Sequence, residues 1–260
     1  MNPNKNITRT MGYALGATSI LMVLTLWSAL AGFDMVSPAK LPAPWNVASA
    51  WWALAFTKGQ LGGAIFASVS RIGIAAVLMI LVGFPMGILM GSSKAVNAFF
   101  SPLVDPFRSA PIVAVIPILV MWFGIGETMK VVFLWLGAVV YLVPMVRDAI
   151  QAVDSRWFKA AKDRGASDTE ALVYAVLPMA KPRIADALIT SISVMWTYIT
   201  VAELVNADSG IGKLIETYRK VSQMDSVFAG ILTIMVLALI SYTAMVALRN
   251  KLYPDYKYEA

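Results

Sequence analysis

The stretch IGIAAVLMILVGFPMGILMGSS, residues 72–93, lies between Arg71 and Lys94 and carries no charge. A helix crosses the hydrocarbon of a bilayer with about 20 largely apolar residues, so this run is long enough to span. Working outward, gaps between charges mark five more candidates: Arg9 to Asp34, Arg108 to Glu127, Lys130 to Arg147, Asp186 to Glu203 and Asp225 to Arg249. Three of these gaps, Arg108 to Glu127, Lys130 to Arg147 and Asp186 to Glu203, are near the lower limit and reach full length only with flanking charges that snorkel or face a polar interior. The expectation is an all-α polytopic membrane protein, a single domain over residues 1–260, with six spans near 12–33, 68–92, 105–126, 129–147, 184–204 and 226–248. Composition agrees. Hydrophobic residues are 59%, charged residues 14%, and the mean hydropathy is +0.72; a soluble domain carries about 45–50% apolar and roughly 25% charged residues.

Residues 41–57 are uncharged, but Pro42 and Pro44 leave too little helix to span. Trp45, Trp51 and Trp52 suit a short helix in the interface, where amphipathic rings settle. Lys and Arg favour the cytoplasmic side. With the N-terminus inside, 14 fall there, Lys5 and Lys257 among them, and 7 outside, including Arg71 and Lys130. Both termini are then cytoplasmic. Lys5, Arg9 and Ala29-Leu30-Ala31 also resemble a signal peptide. The apolar run is too long for its core, so an uncleaved first helix is expected. No repeat or linker divides the chain.

The chain has no Cys and no His. Disulfides, thiolate or imidazole metal sites and Cys or His catalytic dyads are excluded; carboxylate-only metal sites and Ser-Lys chemistry stay open. No metal is expected, and no cofactor in this chain. Gly210-Ile211-Gly212-Lys213 is not a phosphate loop, because position 207 is Ala and position 214 is Leu. Gly124-Ile125-Gly126 reads as a turn between helices. Gly83, Gly87 and Gly91 form a stripe that serves either close packing or sliding. Asp105-Pro106-Phe107-Arg108-Ser109-Ala110-Pro111 and then Pro117 make the third span either a pathway wall or a kinked packing helix. Glu203 follows Trp196, Thr197, Tyr198 and Thr200, and reads either as lining a solute path or as an interfacial charge. Ser109, Pro111, Met121, Trp196, Tyr198 and Glu203 are the candidate pathway residues. No cluster of Arg or Lys inside the spans marks an anion site.

The segment from Arg147 to Arg183 is the longest cytoplasmic loop and looks folded. Asp154 suits an N-cap for a helix to about Lys162, and Gly165 ends it. Ser167-Asp168-Thr169-Glu170 is a capping box. Ala171, Leu172, Ala175, Val176 and Met179 then share a helical face, and Pro178 and Pro182 limit that helix. Two short helices meeting at a corner are predicted, a rigid cytoplasmic knob at 148–183. The bland alternative is a loop lying on anionic lipid.

Here Lys159-Ala160-Ala161, three residues, Gly165, nine residues, then Ala175-Val176-Leu177-Pro178 resembles the signature loop of binding-protein-dependent ABC importer permeases. That signature reads Glu-Ala-Ala, Gly, Ile, Leu-Pro at the same spacing; Lys159 and Ala175 depart from it. Residues 121–128, 165–167 and 201–204 further resemble the nitrate, sulfonate, taurine and bicarbonate branch. The resemblance implies a type I importer fold, in the bacterial cytoplasmic (inner) membrane, with no nucleic acid involved. It implies that Lys159, Ala160, Ala161, Gly165, Ala166, Ser167, Glu170, Leu177 and Pro178 form the coupling region docked on a cytoplasmic ABC ATPase dimer. ATP and Mg would be bound by that partner, so this chain is a transport subunit and not an enzyme. A second copy of the chain and a periplasmic or lipid-anchored solute-binding protein complete the implied machine. Its solute would be a small anion such as nitrate, a sulfonate, taurine or bicarbonate, or else a vitamin precursor or aromatic acid. Different in class are a stand-alone ion-coupled carrier, which usually shows midplane charges, and an intramembrane enzyme.

Overall fold

A computed structural model gives the fold and describes residues 8–33, 36–205, 208–254 and 256; Lys5, Asp34, Ala207 and Lys257, used above for orientation and motifs, lie outside them. Most of the described residues are helical, and none of them lies in a strand. The helices are α1 (Arg9–Gly32), α2 (Pro44–Trp52), α3 (Gln60–Ser92), α4 (Lys94–Phe107), α5 (Ile116–Phe123), α6 (Glu127–Gln151), α7 (Ser155–Asp163), α8 (Asp168–Ala171), α9 (Leu177–Leu204), α10 (Ile211–Lys220) and α11 (Met224–Leu252). Among the described residues, five helical runs are long and apolar enough to cross a bilayer, and a bent pair, Lys94–Phe107 with Ile112–Phe123, would make a sixth if it is one broken span and not a re-entrant loop.

The chain forms two compact units. The first holds the residues up to Gly62 together with Leu214–Leu232. Pro44 opens α2 at its first turn, where a missing N–H costs nothing. A wider turn, Ala53–Thr57, continues it. Trp45 and Trp52 are exposed beside buried Val47 and Leu54, so the segment at 41–57 is helical and two-faced. Trp27 donates to the Pro42 carbonyl at 2.9 Å. Tyr218 links Lys58 (3.1 Å) to Gln60 (2.8 Å).

The second unit, Gly63–Lys213 with Thr233–Ala260, holds the main core. Here α6 packs along α9, burying Met129, Phe133, Leu134, Ala138 and Leu142 on one side and Ala187, Ser191, Met195 and Ile199 on the other. Gly137 admits the Tyr198 ring, which a Cβ would meet at 2.7 Å. The stripe on α3 lies against α6 so closely that a Cβ at Gly87 would stand 2.6 Å from the Val146 Cβ and 2.9 Å from the Val143 carbonyl oxygen. That contact is close packing, the first of the two readings of the stripe.

Several expected boundaries move. The second span begins at Gln60, not 68, and Arg71 lies inside it and buried, not in an outer loop. Lys130 is likewise buried within α6. A charge ends a span only when it has to reach water, and these two are paired in place. The third candidate, 105–126, is not one helix. α4 and the Ile112–Phe123 segment meet at 94°, because Pro111 lacks an N–H and drives Ala110 out of the helical region. Ile112–Val115 is a tighter turn leading into α5. The loop at 148–183 is also shorter than expected. Pro178 and Pro182 do not stop the helix. Pro178 sits in the first turn of α9, where its ring is tolerated. A wide turn at Leu172–Val176 joins α8 to α9, so one run extends from Asp168 to Leu204. The wide turn adds a residue to the repeat. The buried face therefore passes from Ala171 to Val176, Ala180 and Ile184, and Met179 is turned outward.

Gly87→Ala is expected to lower the melting temperature of the detergent-solubilised protein, through overpacking of about 1–3 kcal/mol. Gly73→Ala, whose Cβ meets nothing within 4 Å, should leave it unchanged or raise it slightly.

Candidate functional site

At one end of α6 and α9 the chain turns a sharp corner. The Asp154 side chain caps α7 by accepting from the Arg156 N–H at 2.8 Å. The Arg156 guanidinium, with that N–H, holds the Asp154 carboxyl below the usual carboxylate range. At the far end Gly165 has φ 85°, where side chains with a Cβ are strained. Its N–H bonds the Lys162 carbonyl (2.9 Å) and the Ala166 N–H bonds the Ala161 carbonyl (3.1 Å), a complete Schellman stop. Next comes the capping box. Ser167 Oγ accepts from the Glu170 N–H at 3.3 Å, and the Ser167 N–H donates to Glu170 Oε2 at 2.8 Å. Lys162 and Asp168 close the corner with a 2.8 Å ion pair.

The corner presents a groove of about 460 Å³ lined by Trp157, Ala160, Ala161, Arg164, Ala166, Glu170, Tyr174, Ala175, Pro178 and Met179. Five of the predicted coupling residues, Ala160, Ala161, Ala166, Glu170 and Pro178, thus meet there. Lys159, Gly165 and Ser167 are exposed nearby without lining it, and Leu177 lines another cleft beside Phe84. Trp157 and Tyr174 were missed. They are large apolar residues left exposed in a basic loop, and that mismatch was the available signal.

The opposite end of the same helices holds a buried charge cluster. Arg71 on α3 forks onto Glu127, the first residue of α6, with Nη2 2.7 Å from Oε1 and Nε on Oε2. Its Nη1 donates to Glu203 on α9 at 2.6 Å and to the Ser209 carbonyl at 2.9 Å. Lys130 Nζ reaches Glu127 Oε1 at 3.1 Å. Ser68 and the Gly212 N–H complete the shell of Glu203, at 2.8 and 2.7 Å. The Glu203 side chain is fully buried. Arg71 and Lys130 went unread as a cluster because they are 59 positions apart in the chain and each looked like a span boundary.

Between the two ends, Ser109 and Pro111 are exposed in the break after α4, and Met121 is exposed on α5. Trp196 is buried, and its indole N–H has no hydrogen-bond partner among the described residues. Tyr198 packs edge-on to Phe133 and neighbours Tyr141, whose hydroxyl is 3.5 Å from the Arg108 carbonyl. Tyr198 and the break thus come together, while Trp196 and Glu203 stay inside the helix pair. Arg147 ties α6 to α4 through Asp105 at 2.9 Å. Among the described residues no carboxylate group forms a metal-holding cluster.

A multi-helix membrane fold with a capped corner in its α6–α9 connection defines the class. Residues 79–252 match the family described as binding-protein-dependent transport system inner membrane component, and the chain belongs to it: it is an ABC importer permease, a transport subunit. Among its relatives is the taurine transport system permease protein TauC of Escherichia coli (strain K12), 30% identical over 252 residues, covering 95% of this chain and 91% of that one. Another, SsuC of Bacillus subtilis (strain 168), bears the name of an aliphatic sulfonates transport permease and is 29% identical, covering 93% and 87%. Inward-facing MetNI methionine ABC transporter has the same fold, with TM-score 0.66 at 19% identity over 74% of this chain and 95% of that one. So has an amino acid ABC transporter, with TM-score 0.66 at 18% identity over 77% and 98%.

Breaking the buried cluster from one side leaves a cation without its counter-charge. Glu203→Gln is expected to cost about 3–5 kcal/mol, read as a large drop in melting temperature. Arg156→Gln removes only an exposed pair and should not move it.

Proposed function

We propose that the chain forms the solute path of an ATP-driven importer in a bacterial inner membrane, and that its solute is a small sulfonate such as taurine. The observation that carries the coupling part is the corner. Two helix ends are closed by a Schellman stop and a capping box, so the knob is stiff where a loop on lipid would not need to be. Its groove offers Trp157 and Tyr174, aromatic anchors of the kind that dominate protein interfaces. The partner of this reading is a cytoplasmic ATPase dimer holding ATP and Mg, with a second copy of the chain alongside and an external binding protein delivering the solute. The knob is continuous with the run from Asp168 to Leu204, 37 residues long. At about 1.5 Å per residue this is a rod of roughly 55 Å. Movement at the groove is carried along α9, past the Tyr198–Tyr141 contact beside the α4–α5 break, to the buried cluster. Closing of the ATPase pair would favour one of two helix arrangements, and hydrolysis would release it.

The names of TauC and SsuC support a sulfonate as cargo. A stand-alone ion-coupled carrier has one observation on its side, charges buried inside the helices. The two buried cations, Arg71 and Lys130, are neutralised by buried Glu203 and by Glu127 at the exposed edge, an arrangement of ion pairs and not of titrating groups in series.

Proteoliposomes containing the permease, its ATPase and its binding protein should take up taurine only with ATP. Uptake on a proton or sodium gradient with no ATPase present would overturn the reading. Gly165→Pro should insert normally but recover at least about tenfold less ATPase in a pull-down, the scale of losing one interface anchor; undiminished recovery would remove the corner as the docking site.

A further inference from the structure

The buried cluster is asymmetric in a way that neutral pairing does not require. Arg71 and Lys130 are almost wholly enclosed, with side chains 4% and 1% exposed, while the Glu127 side chain between them is 58% exposed. Glu203 is the fixed counter-charge, fully buried and held by Ser68 and the Gly212 N–H. Glu127 is the removable one. It stands first in α6, directly after the Gly124–Gly126 turn. A rotation about its side-chain bonds puts the carboxylate in water and opens both cations.

The donors also outnumber the carboxylate's oxygens. Arg71 Nε, Arg71 Nη2 and Lys130 Nζ converge on two oxygens, and Oε1 is shared by two of them at 2.7 and 3.1 Å. A sulfonate has three oxygens, one for each donor, and binds such a fork through charge-assisted bonds. With Glu127 turned away, Arg71, Lys130 and Glu203 sum to one positive charge, which one monoanion neutralises. The cluster lies at the end of α6 and α9 remote from the coupling corner, so a solute arriving from the side opposite the ATPase meets it first.

We infer that Arg71 and Lys130 are a receptor for the sulfonate group of the solute, and that Glu127 is an internal stand-in occupying it while the protein is empty. This rests on the importer reading for the route and the cargo class; the binding itself can be measured without the ATPase. The receptor neither spends nor stores energy. It exchanges one anion for another at buried cations, so entry never leaves them uncompensated.

The test is calorimetric titration of the permease in nanodiscs with ethanesulfonate, propionate and ethanol. Glu127→Gln removes the competing charge, and should bind ethanesulfonate at least about tenfold tighter than the unaltered protein, the scale of one charged hydrogen bond. Propionate should gain less and ethanol nothing. Adding Lys130→Met to Glu127→Gln should abolish the gain. Should Glu127→Gln fail to fold, Glu127→Asp, too short to reach both cations, should show a smaller gain in the same order. No gain in either variant, or an equal gain for ethanol, overturns the receptor. ATP-driven taurine uptake by the full complex, alongside such a null titration, would discard the receptor and leave the importer standing. A clear gain in a complex that does not transport with ATP would support the receptor and discard the importer.

Discussion

An arginine taken out of water has to be neutralised where it stands, and Arg71 meets that demand with two carboxylates from two different helices. The unpaired charge would cost several kcal/mol, so α3, α6 and α9 cannot part at this end without a replacement anion. The Ser209 carbonyl and the N–H of Gly212 bring the start of α10 into the same shell. Elsewhere in this unit the contacts are mostly dispersion and close approach, which fix distance but not register. The guanidinium fork is directional, and it fixes both.

The other end is built differently. Ion pairs occur there too, Arg249 with Asp186 at 3.2 Å and Arg147 with Asp105 at 2.9 Å, but they do not make the corner. Order comes from backbone groups satisfied locally: a Schellman stop, a capping box and an N-cap within residues 154–170. Such a unit is stiff yet leaves its apolar side chains free, because the caps use backbone and small polar groups. The groove with Trp157 and Tyr174 is the consequence. One end thus presents an open groove with exposed aromatic rings, and the other buried cations behind an exposed carboxylate.

Between these ends the helices are joined by tight packing. Gly87 and Gly91 leave room for α6 only because they lack side chains, and Gly137 does the same for Tyr198. The α4–α5 break leaves Ser109, Pro111 and Met121 exposed, whereas the α6–α9 pair is closely packed along its length.

The sequence by itself determined the solvent and the corner. Each is a local property: twenty apolar residues in a row, a Ser with a Glu three positions on, a Gly where φ must be positive. It did not foresee that the helix holding Arg71 starts as early as Gln60, because Arg71 looked like an end, nor that the helical run from Asp168 passes Pro178 and Pro182, which looked like stops. It read the 105–126 stretch as one span, although the prolines that break it were in view. What only the tertiary structure decided was which charges meet. Arg71, Glu127, Lys130 and Glu203 come from three helices far apart in the chain, and no periodicity relates them. Whether a charge in an apolar run reaches water or finds a counter-charge depends on the neighbouring helix, and that neighbour is chosen by packing, not by local pattern.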